Sequence, residues 1–401
     1  RLHIIKQSDS YYTILKTDHH SIADGWSTPI LWRSLHEYYD AFRVGKEVIV
    51  KEDGAYLSAQ QYIAGNKESI ARYWREVLDQ VEVSTDINPL LNSPIDTRAY
   101  RNVDESEVSV LSIDGARYKG LKALCHQEGI TVNVLVQFLW HKLLQVYSGN
   151  VQTIVGTTVS GRDLPIEGIE NSVGLYINTL PLIIDWSNRN TIVSQLHQIH
   201  DQITKLNTHS FSDLAKMGRD GERLFQSLLV FENYPVSKSG GVWPGVSMRN
   251  VVEKVDYVLT LQAFEANEQL VARLQYAGKY LSREKANKIL SSMERILTHV
   301  LTNPMGLHHE ISLLSSEELE KVVKEWVGFD SDNLSRESIH SLFELQASRV
   351  PNQVALIFGD QQMTYKELNE RSNQLARHIR KVFESRTGVA LTVDSPIGVC
   401  M

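Results

Sequence analysis

Two adjacent histidines followed by Asp-Gly, in the segment His19–Gly25 (HHSIADG), constrain this chain more than any other feature. The preceding segment Tyr11–Thr17 is rich in β-branched and aromatic residues, which predicts a strand. After the motif, Ser27 or Thr28 is expected to cap a helix whose apolar face runs to Phe42. A strand that turns sharply into a helix is a rigid support for a side chain that must meet a substrate at fixed geometry.

Composition excludes several classes of protein. The 401 residues predict two or three domains, and the net charge of −7 gives no reason to expect nucleic acid as a partner. Cys125 and Cys400 lie far apart, which favours a reducing cytoplasm and no zinc site or disulfide framework. The most apolar segment, Val134–Tyr147, is too short to cross a membrane. Because the chain starts at Arg1 and stops within an apolar segment, we expect it to be a piece of a longer protein.

Strands and helices alternate through most of the chain, which predicts an α/β fold. A charged, serine-rich stretch at 305–335 is the best candidate for a linker. Beyond it, a new unit begins near Ile339 with a helix, two short strands and a second helix. The pattern up to the linker predicts strands at 108–111, 151–159, 224–231, 255–264 and 270–276, and helices at 116–127, 133–147, 191–206 and 282–302.

Several segments together resemble a nonribosomal peptide synthetase. His19–Gly25 with Trp26 resembles the histidine motif of condensation domains, and Val173–Thr179 (VGLYINT) resembles a later motif of the same domain. Ile311–Trp326 is similar to the joint between condensation and adenylation domains. Met363–Leu368 (MTYKEL) resembles the first conserved segment of an adenylation domain. The resemblance covers essentially the whole chain.

The resemblance implies a two-lobed fold similar to chloramphenicol acetyltransferase, with the first lobe incomplete in this chain. Residues 1–80 are then the end of the N-terminal lobe and carry the histidine motif. Residues 81–304 are the C-terminal lobe, and residues 305–335 are the linker. Residues 336–401 are the N-terminal segment of an adenylate-forming enzyme fold.

The implied activity is amide formation, in which the amine of one carrier-bound aminoacyl group attacks the thioester of another carrier-bound acyl or peptidyl group. The implied partners are upstream and downstream peptidyl-carrier domains and the remainder of the adenylation domain. The substrates are expected on the phosphopantetheine arms of those carriers. The chain itself is expected to bind no cofactor, because its adenylation segment stops before any phosphate-binding loop and no carrier attachment site is visible.

Two other functions remain as alternatives. An epimerisation-type relative shares the histidine motif, but such domains are normally followed by a condensation domain, so Met363–Leu368 argues against it. A heterocyclisation relative is disfavoured because it replaces the two histidines with aspartate. A noncatalytic docking or scaffold lobe stays open.

His20 is the position that the family uses for catalysis. It either acts as a general base or positions the amine and stabilises the developing charge. A free α-amine has a pKa of about 7.7–8.0, so much of it is already neutral near pH 7. We therefore favour positioning, with His20 removing the proton after attack. His19 is expected on the opposite side of the chain as a hydrogen-bonded support.

Two interpretations remain open for each of the other residues near the motif. Asp24 either orients His20 or forms a structural ion pair, and we favour the ion pair because a buried carboxylate needs a partner. Arg162 is a candidate for that partner, although it could pair only with Asp163 or solvent. The N–H of Gly25 is expected to face the oxygen of the thioester carbonyl, unless the turn alone requires glycine.

Three further residues are candidates to line a substrate tunnel. Trp26 follows the motif directly, although tryptophan is more often part of a core. Asn178 ends an apolar strand, and Asn233 ends another in the sequence Glu-Asn-Tyr-Pro. Each asparagine either faces the tunnel or stabilises its own turn.

Overall fold

The computed structural model describes residues 1–50, 52–81, 84–96, 100, 106–212, 223–232, 256–325, 338–392 and 395–398. Contacts within the chain form two compact units, Arg1–Glu318 and Leu319–Met401. The boundary between these units lies inside the predicted linker, 305–335. The finer domain borders remain predictions.

The first unit starts with an antiparallel hairpin made of β1 (Leu2–Lys6) and β2 (Tyr12–Lys16). The histidine motif follows β2 and leads into helix α1 (Ser27–Arg43), so the predicted strand and helix on either side of the motif are confirmed. The predicted cap is wrong. The residue before α1 is Trp26, which has helical backbone angles and no side-chain cap, and Ser27 is already the first helical residue.

Within the described residues, six strands form the main sheet of this unit: β3 (Ser106–Ile113), β4 (Gln152–Val159), β5 (Asn178–Asp185), β6 (Ser227–Glu232), β7 (Leu259–Ala266) and β8 (Gln269–Ala277). Their spatial order is β3-β8-β7-β6-β4-β5. β6 pairs in parallel with both β4 and β7, while the other neighbours are antiparallel. The sheet is therefore mixed, and the α/β prediction is confirmed.

The helices of the unit after α1 are α2 (Ala55–Asp79), α3 (Gly115–Glu128), α4 (Val132–Ser148), α5 (Ile192–Thr208) and α6 (Arg283–Thr302). α4 lies at the centre of the core, and Phe138 and Trp140 within it are fully buried. Local sequence signals set its ends as predicted. The Thr131 side chain accepts a hydrogen bond from the Val134 N–H, and Gly149 ends α4 in the left-handed conformation.

The second unit contains the elements that the sequence predicts there. α7 (Ser316–Glu320) continues across the boundary between the units, and α8 (Ile339–Arg349) follows later in the chain. An antiparallel pair, β9 (Val354–Phe358) and β10 (Gln361–Thr364), leads into α9 (Tyr365–Thr387). Among the described residues, every helix is too short or too polar to cross a membrane.

Candidate active site

The two histidines lie on an exposed turn between β2 and α1. Nδ1 of His19 is 2.7 Å from Oγ of Ser21, and the Ser21 N–H donates to the same nitrogen at 3.2 Å. In the described part of the chain, no group forms a hydrogen bond with the ring of His20. The His19 ring is thus tied to its own turn, whereas the His20 ring stays available to a ligand.

Asp24 lies on the buried side of the same turn and is 4% exposed. One carboxylate oxygen, Oδ1, accepts hydrogen bonds from the N–H and the hydroxyl of Ser27, at 2.9 Å and 2.8 Å. The other, Oδ2, accepts from the N–H groups of Tyr176 and Ile177, at 3.1 Å and 3.4 Å. These contacts hold the turn against the segment that carries the second motif, and none of them involves His20.

Arg162 supplies the charge that balances Asp24. Its Nη2 lies 3.0 Å from Oδ1 and 3.2 Å from Oδ2 of Asp24, and both side chains are almost fully buried. Its Nη1 donates to the carbonyl oxygens of Ile169 and Ser172, at 2.8 Å and 2.9 Å. Of the partners considered for Arg162, the structure selects Asp24. The nearby Asp163 instead accepts a long hydrogen bond, 3.5 Å, from Ser160.

The pKa of Asp24 lies below its ordinary value. Burial acts to raise it, because a charged carboxylate is poorly solvated in the interior. The hydrogen bond from the Ser27 hydroxyl, the charge of Arg162 and the backbone N–H groups of Ser27 and Tyr176 together outweigh that effect. Asp24 is therefore ionised at neutral pH, as a structural ion pair requires.

Three residues that the sequence did not assign to the site complete this network. The hydroxyl of Ser27 lies 3.0 Å from the carbonyl oxygen of Gly174 and accepts the N–H of the same residue at 3.1 Å. The ring of Tyr176 packs under the Arg162 guanidinium, 4.2 Å from ring centroid to Cζ. Asp53 accepts hydrogen bonds from the Ser172 hydroxyl, at 2.8 Å and 2.9 Å. Ser27 is the residue in the sequence that could have indicated this network, although local rules predict it as a helix cap.

Gly25 and Trp26 complete the turn and are both half-buried. The indole N–H of Trp26 donates to the Glu170 carbonyl oxygen at 3.2 Å, and the Arg162 guanidinium lies 5.8 Å from the indole ring. Trp26 thus packs on the ion pair, next to the glycine whose N–H is a candidate to face the substrate.

Asn178, the first asparagine predicted either to face the tunnel or to stabilise its own turn, is hydrogen-bonded to neighbouring backbone groups. Its side-chain amide donates to the carbonyl oxygens of Ser210 and Ser212, at 2.7 Å and 2.8 Å, and its side-chain oxygen accepts the Thr179 N–H at 2.9 Å. Asn178 therefore links the segment after α5 to the start of β5 through hydrogen bonds. Asn233, the other asparagine candidate, lies outside the described residues.

A cavity of about 700 Å³ lies at the carboxyl ends of β4, β6 and β7, with residues of α3 and α5 on its walls. Asp24 and Trp26 line it, together with Ser160 and Ile177, whereas His20 is not one of its lining residues. Ligands commonly bind beyond the carboxyl ends of parallel strands. The buried half of the histidine motif thus forms part of the wall of the candidate binding site.

An ion pair lies on the part of the cavity wall that α3 and β7 form. Nζ of Lys122 is 2.9 Å from Oε1 of Glu265, and the hydroxyl of Tyr118 donates to the same oxygen at 2.7 Å. Burial raises the pKa of Tyr118 to about 12, and the hydrogen bond and charge of Glu265 add to that effect. Burial also raises the pKa of the Cys125 thiol to about 11, with Lys122 opposing and Glu265 reinforcing the shift. Cys125 is therefore a neutral thiol at physiological pH.

The described residues contain no cluster of three or more His, Cys, Asp or Glu side chains placed to hold a metal ion. The residues that the structure brings together are Asp24, Trp26 and Arg162, around one buried ion pair, with Gly25 in the same turn. His20 lies on the exposed side of that turn.

The sequence of this chain is similar to parts of two much longer synthases. The N-(5-amino-5-carboxypentanoyl)-L-cysteinyl-D-valine synthase of Amycolatopsis lactamdurans is 33% identical, with 98% of this chain aligned to 11% of that protein. One of the linear gramicidin synthase proteins of Brevibacillus parabrevis is 29% identical, with 100% of this chain aligned to 8% of that protein. The chain thus spans about a tenth of the length of these curated relatives.

Among solved structures, the X-domain from teicoplanin biosynthesis has a similar fold, with a TM-score of 0.64 and 18% identity over 78% of this chain and 74% of that one. The family model described as the condensation domain matches residues 1–323. Because that match covers most of the 401 residues, the chain belongs to the condensation-domain family of nonribosomal peptide synthetases.

Proposed function

We propose that this chain forms amide bonds, joining a carrier-bound acyl or peptidyl thioester to the amine of a second carrier-bound aminoacyl group. One observation carries the proposal. His20 is exposed, and no group within the described residues bonds to its ring. It lies on a turn whose buried half is fixed by the Asp24–Arg162 pair and forms part of the wall of a large cavity. A reactive group on a rigid support beside a ligand cavity is what a reaction between two bound substrates requires.

In this reaction the amine nitrogen attacks the thioester carbonyl carbon, the C–S bond breaks and the sulfur leaves as the thiol of its carrier arm. The nitrogen loses one proton and the sulfur gains one. His20 holds the amine during attack, accepts the proton from the nitrogen and passes it to the sulfur. The N–H of Gly25 faces the carbonyl oxygen, where negative charge develops. Asp24 and Arg162 act indirectly, by fixing the turn that carries both groups.

The remaining assignments belong to the same proposal. The substrates arrive on the phosphopantetheine arms of upstream and downstream carrier domains, and the chain itself binds no cofactor. Residues 336–401 are the start of an adenylation domain that continues in the same polypeptide. The alignments to the two synthases support this, because they extend over 98% and 100% of the chain and so pass residue 323, where the condensation match ends. We place the protein in the cytoplasm and its product among peptide secondary metabolites of the antibiotic type.

The test uses the full-length synthetase with two loaded carrier proteins and follows the amide product by mass spectrometry. We expect His20→Ala to slow amide formation by about 10²–10⁴-fold, the range for loss of a proton-transfer group. His197→Ala, an exposed histidine on α5, is the matched control and is expected to leave the rate unchanged. If His20→Ala condenses as fast as the wild type, the proposed role of His20 is wrong.

The same assay separates the two alternative functions. An epimerisation-type relative would return a donor of inverted configuration without forming an amide. A docking lobe would give neither product, even in the wild-type protein. Chiral analysis of the donor after release from its carrier distinguishes these outcomes.

A further inference from the structure

The part of the cavity wall that α3 and β7 form contains an ion pair between Lys122 and Glu265. The rest of the lining is mixed, with apolar side chains such as Ile203 beside polar ones such as His200. The side chains of Lys122 and Glu265 are 47% and 30% exposed, so neither is sealed in the core. A charged pair on the wall of a ligand cavity is available to a polar group of the ligand.

The pair keeps unused hydrogen-bonding capacity. A lysine ammonium has three donors, and the described residues take up one of those of Lys122, through Oε1 of Glu265. Oε1 of Glu265 already accepts from Lys122 and Tyr118, while Oε2 has no partner within the described residues. Lys122 can therefore bind a carboxylate, and Glu265 can bind an ammonium group beside it.

The position of the pair fixes the length of ligand that reaches it. Asp24 is held through Arg162 just beyond the end of β4, and Glu265 lies near the end of β7. Only β6 separates β4 from β7, and neighbouring strands lie about 4.8 Å apart, so the two ends are about 10 Å apart across the sheet. An extended acyl chain of several carbon atoms spans such a distance.

The charge of Glu265 favours the donor rather than the acceptor as the occupant. An acceptor amine must be neutral to attack, and a carboxylate that bound it would hold it in the unreactive ammonium form. An amino group at the far end of a donor chain takes no part in the reaction. Glu265 can therefore bind such a group without slowing the reaction.

We propose that this cavity holds the acyl chain of the donor thioester, and that Lys122 and Glu265 bind a terminal group that carries both a carboxylate and an ammonium. The inference rests on the proposed amide-forming function and names the class of its donor. The carboxylate pairs with Lys122 and the ammonium with Glu265, so the existing ion pair becomes a four-charge cluster of alternating sign.

The experiment uses the full-length synthetase and four donors of equal chain length loaded on the upstream carrier. Their chains end in an amino and a carboxyl group, in a carboxyl group alone, in an amino group alone, or in a methyl group. We expect the wild type to condense the first donor fastest, by about ten- to hundredfold over the methyl-ended donor, as one or two charge-assisted hydrogen bonds would give. Rates are compared as ratios between donors within one variant, so that any loss of folded protein cancels.

Two variants assign the effect to the pair. Lys122→Met is expected to lose the advantage of the two carboxyl-bearing donors over the methyl-ended donor. Glu265→Gln keeps an acceptor for Tyr118 but is expected to lose the advantage of the two amino-bearing donors. Lys119→Met is the matched control, because Lys119 is exposed on the same helix and does not line the cavity.

Each outcome has a separate meaning. Equal wild-type rates with all four donors overturn the inference about the pocket and leave the proposed function intact. A donor ranking that survives in both Lys122→Met and Glu265→Gln also overturns it, since the pair would then be structural. If no donor gives an amide with the wild type, the proposed function itself fails.

Discussion

Replacing Arg162 by methionine tests whether the buried ion pair holds the motif turn. Met is unbranched and uncharged, so the variant removes both the partner of Asp24 and the guanidinium that packs on the Tyr176 ring. Among the described residues, the buried Asp24 carboxylate then keeps the donors from Ser27 and the N–H groups of Tyr176 and Ile177. Breaking one side of a buried ion pair typically costs about 3–5 kcal/mol, because the remaining charge has no counterion.

Several neutral donors still reach Asp24 in Arg162→Met, so we expect the free energy of unfolding to fall by about 3 kcal/mol, the lower end of that range. Asp24→Asn alone should also be costly, because the Arg162 guanidinium then remains buried with two backbone carbonyls. In the double variant, neither charge is buried. The sum of the two single losses should therefore exceed the loss of the double variant by about 0.5–3 kcal/mol, the range for residues in direct contact.

The assay is urea unfolding followed by tryptophan fluorescence. Of the 7 tryptophans, all but Trp326 precede residue 319, so the signal reports chiefly on the first unit. The reasoning is refuted if the losses of unfolding free energy in the two single variants add up to the loss in the double variant. It is also refuted if Arg162→Met loses less than about 1 kcal/mol of that free energy.

The pH dependence gives an independent check on the same pair. The folded-state pKa of Asp24 is lowered, so ionised Asp24 contributes fully to the stability of the fold above the unfolded carboxyl pKa of about 3.9. This contribution is lost as the pH falls through the folded-state pKa. Without Arg162 the burial of Asp24 is less well opposed, and its folded-state pKa rises. The difference in stability between the wild type and Arg162→Met should therefore shrink as the pH falls from the folded-state pKa of Asp24 in the variant to the lower one in the wild type.

Three further predictions concern single sites. Asn178→Ala should lower the free energy of unfolding by about 1–3 kcal/mol, since two backbone carbonyls lose their partner, and should leave the ranking of donors unchanged. Gly161→Ala should destabilise far more than Gly149→Ala in the same unfolding assay: both glycines have positive φ, but a Cβ at Gly161 would also collide with the Tyr176 carbonyl oxygen, whereas Gly149 has open space. Burial lowers the pKa of His141 to about 3, so below pH 6.5 the unfolded state binds a proton that the folded state does not. The free energy of unfolding should therefore fall as the pH drops from about 6.5. His141→Leu should make this pH dependence weaker in a pH series of unfolding curves.

Local signals account for much of what the sequence predicted correctly. Gly129, Gly149 and Thr131 act within one or two turns of their own helices, so the ends of α3 and α4 follow from nearby residues. The strand before the histidine motif likewise follows from β-branched and aromatic composition. Each of these features depends on residues close together in the chain.

The site depends on residues far apart in the chain, and there the sequence left choices open. Asp24 and Arg162 are separated by 138 positions, and nothing local distinguishes that pairing from one with Asp163 or solvent. Ser27 fits a helix cap by every local rule, yet its hydroxyl bonds to Gly174, 147 positions away. The cavity is formed where β4, β6 and β7 end side by side, and that order cannot be read from the order of the strands in the chain.

The histidine motif therefore consists of two parts with different physical tasks. His19 and His20 are exposed, and the ring of His20 forms no hydrogen bond within the described residues, so a change at His20 removes the proposed reacting group and little else. Asp24 is buried and bonded to Arg162 and to the backbone at Tyr176, so a change there disturbs the support itself. Loss of activity in an Asp24 variant is thus no evidence for a role in proton transfer unless its stability is measured too. A His20 variant that keeps wild-type stability but loses amide formation is the result that isolates the chemistry.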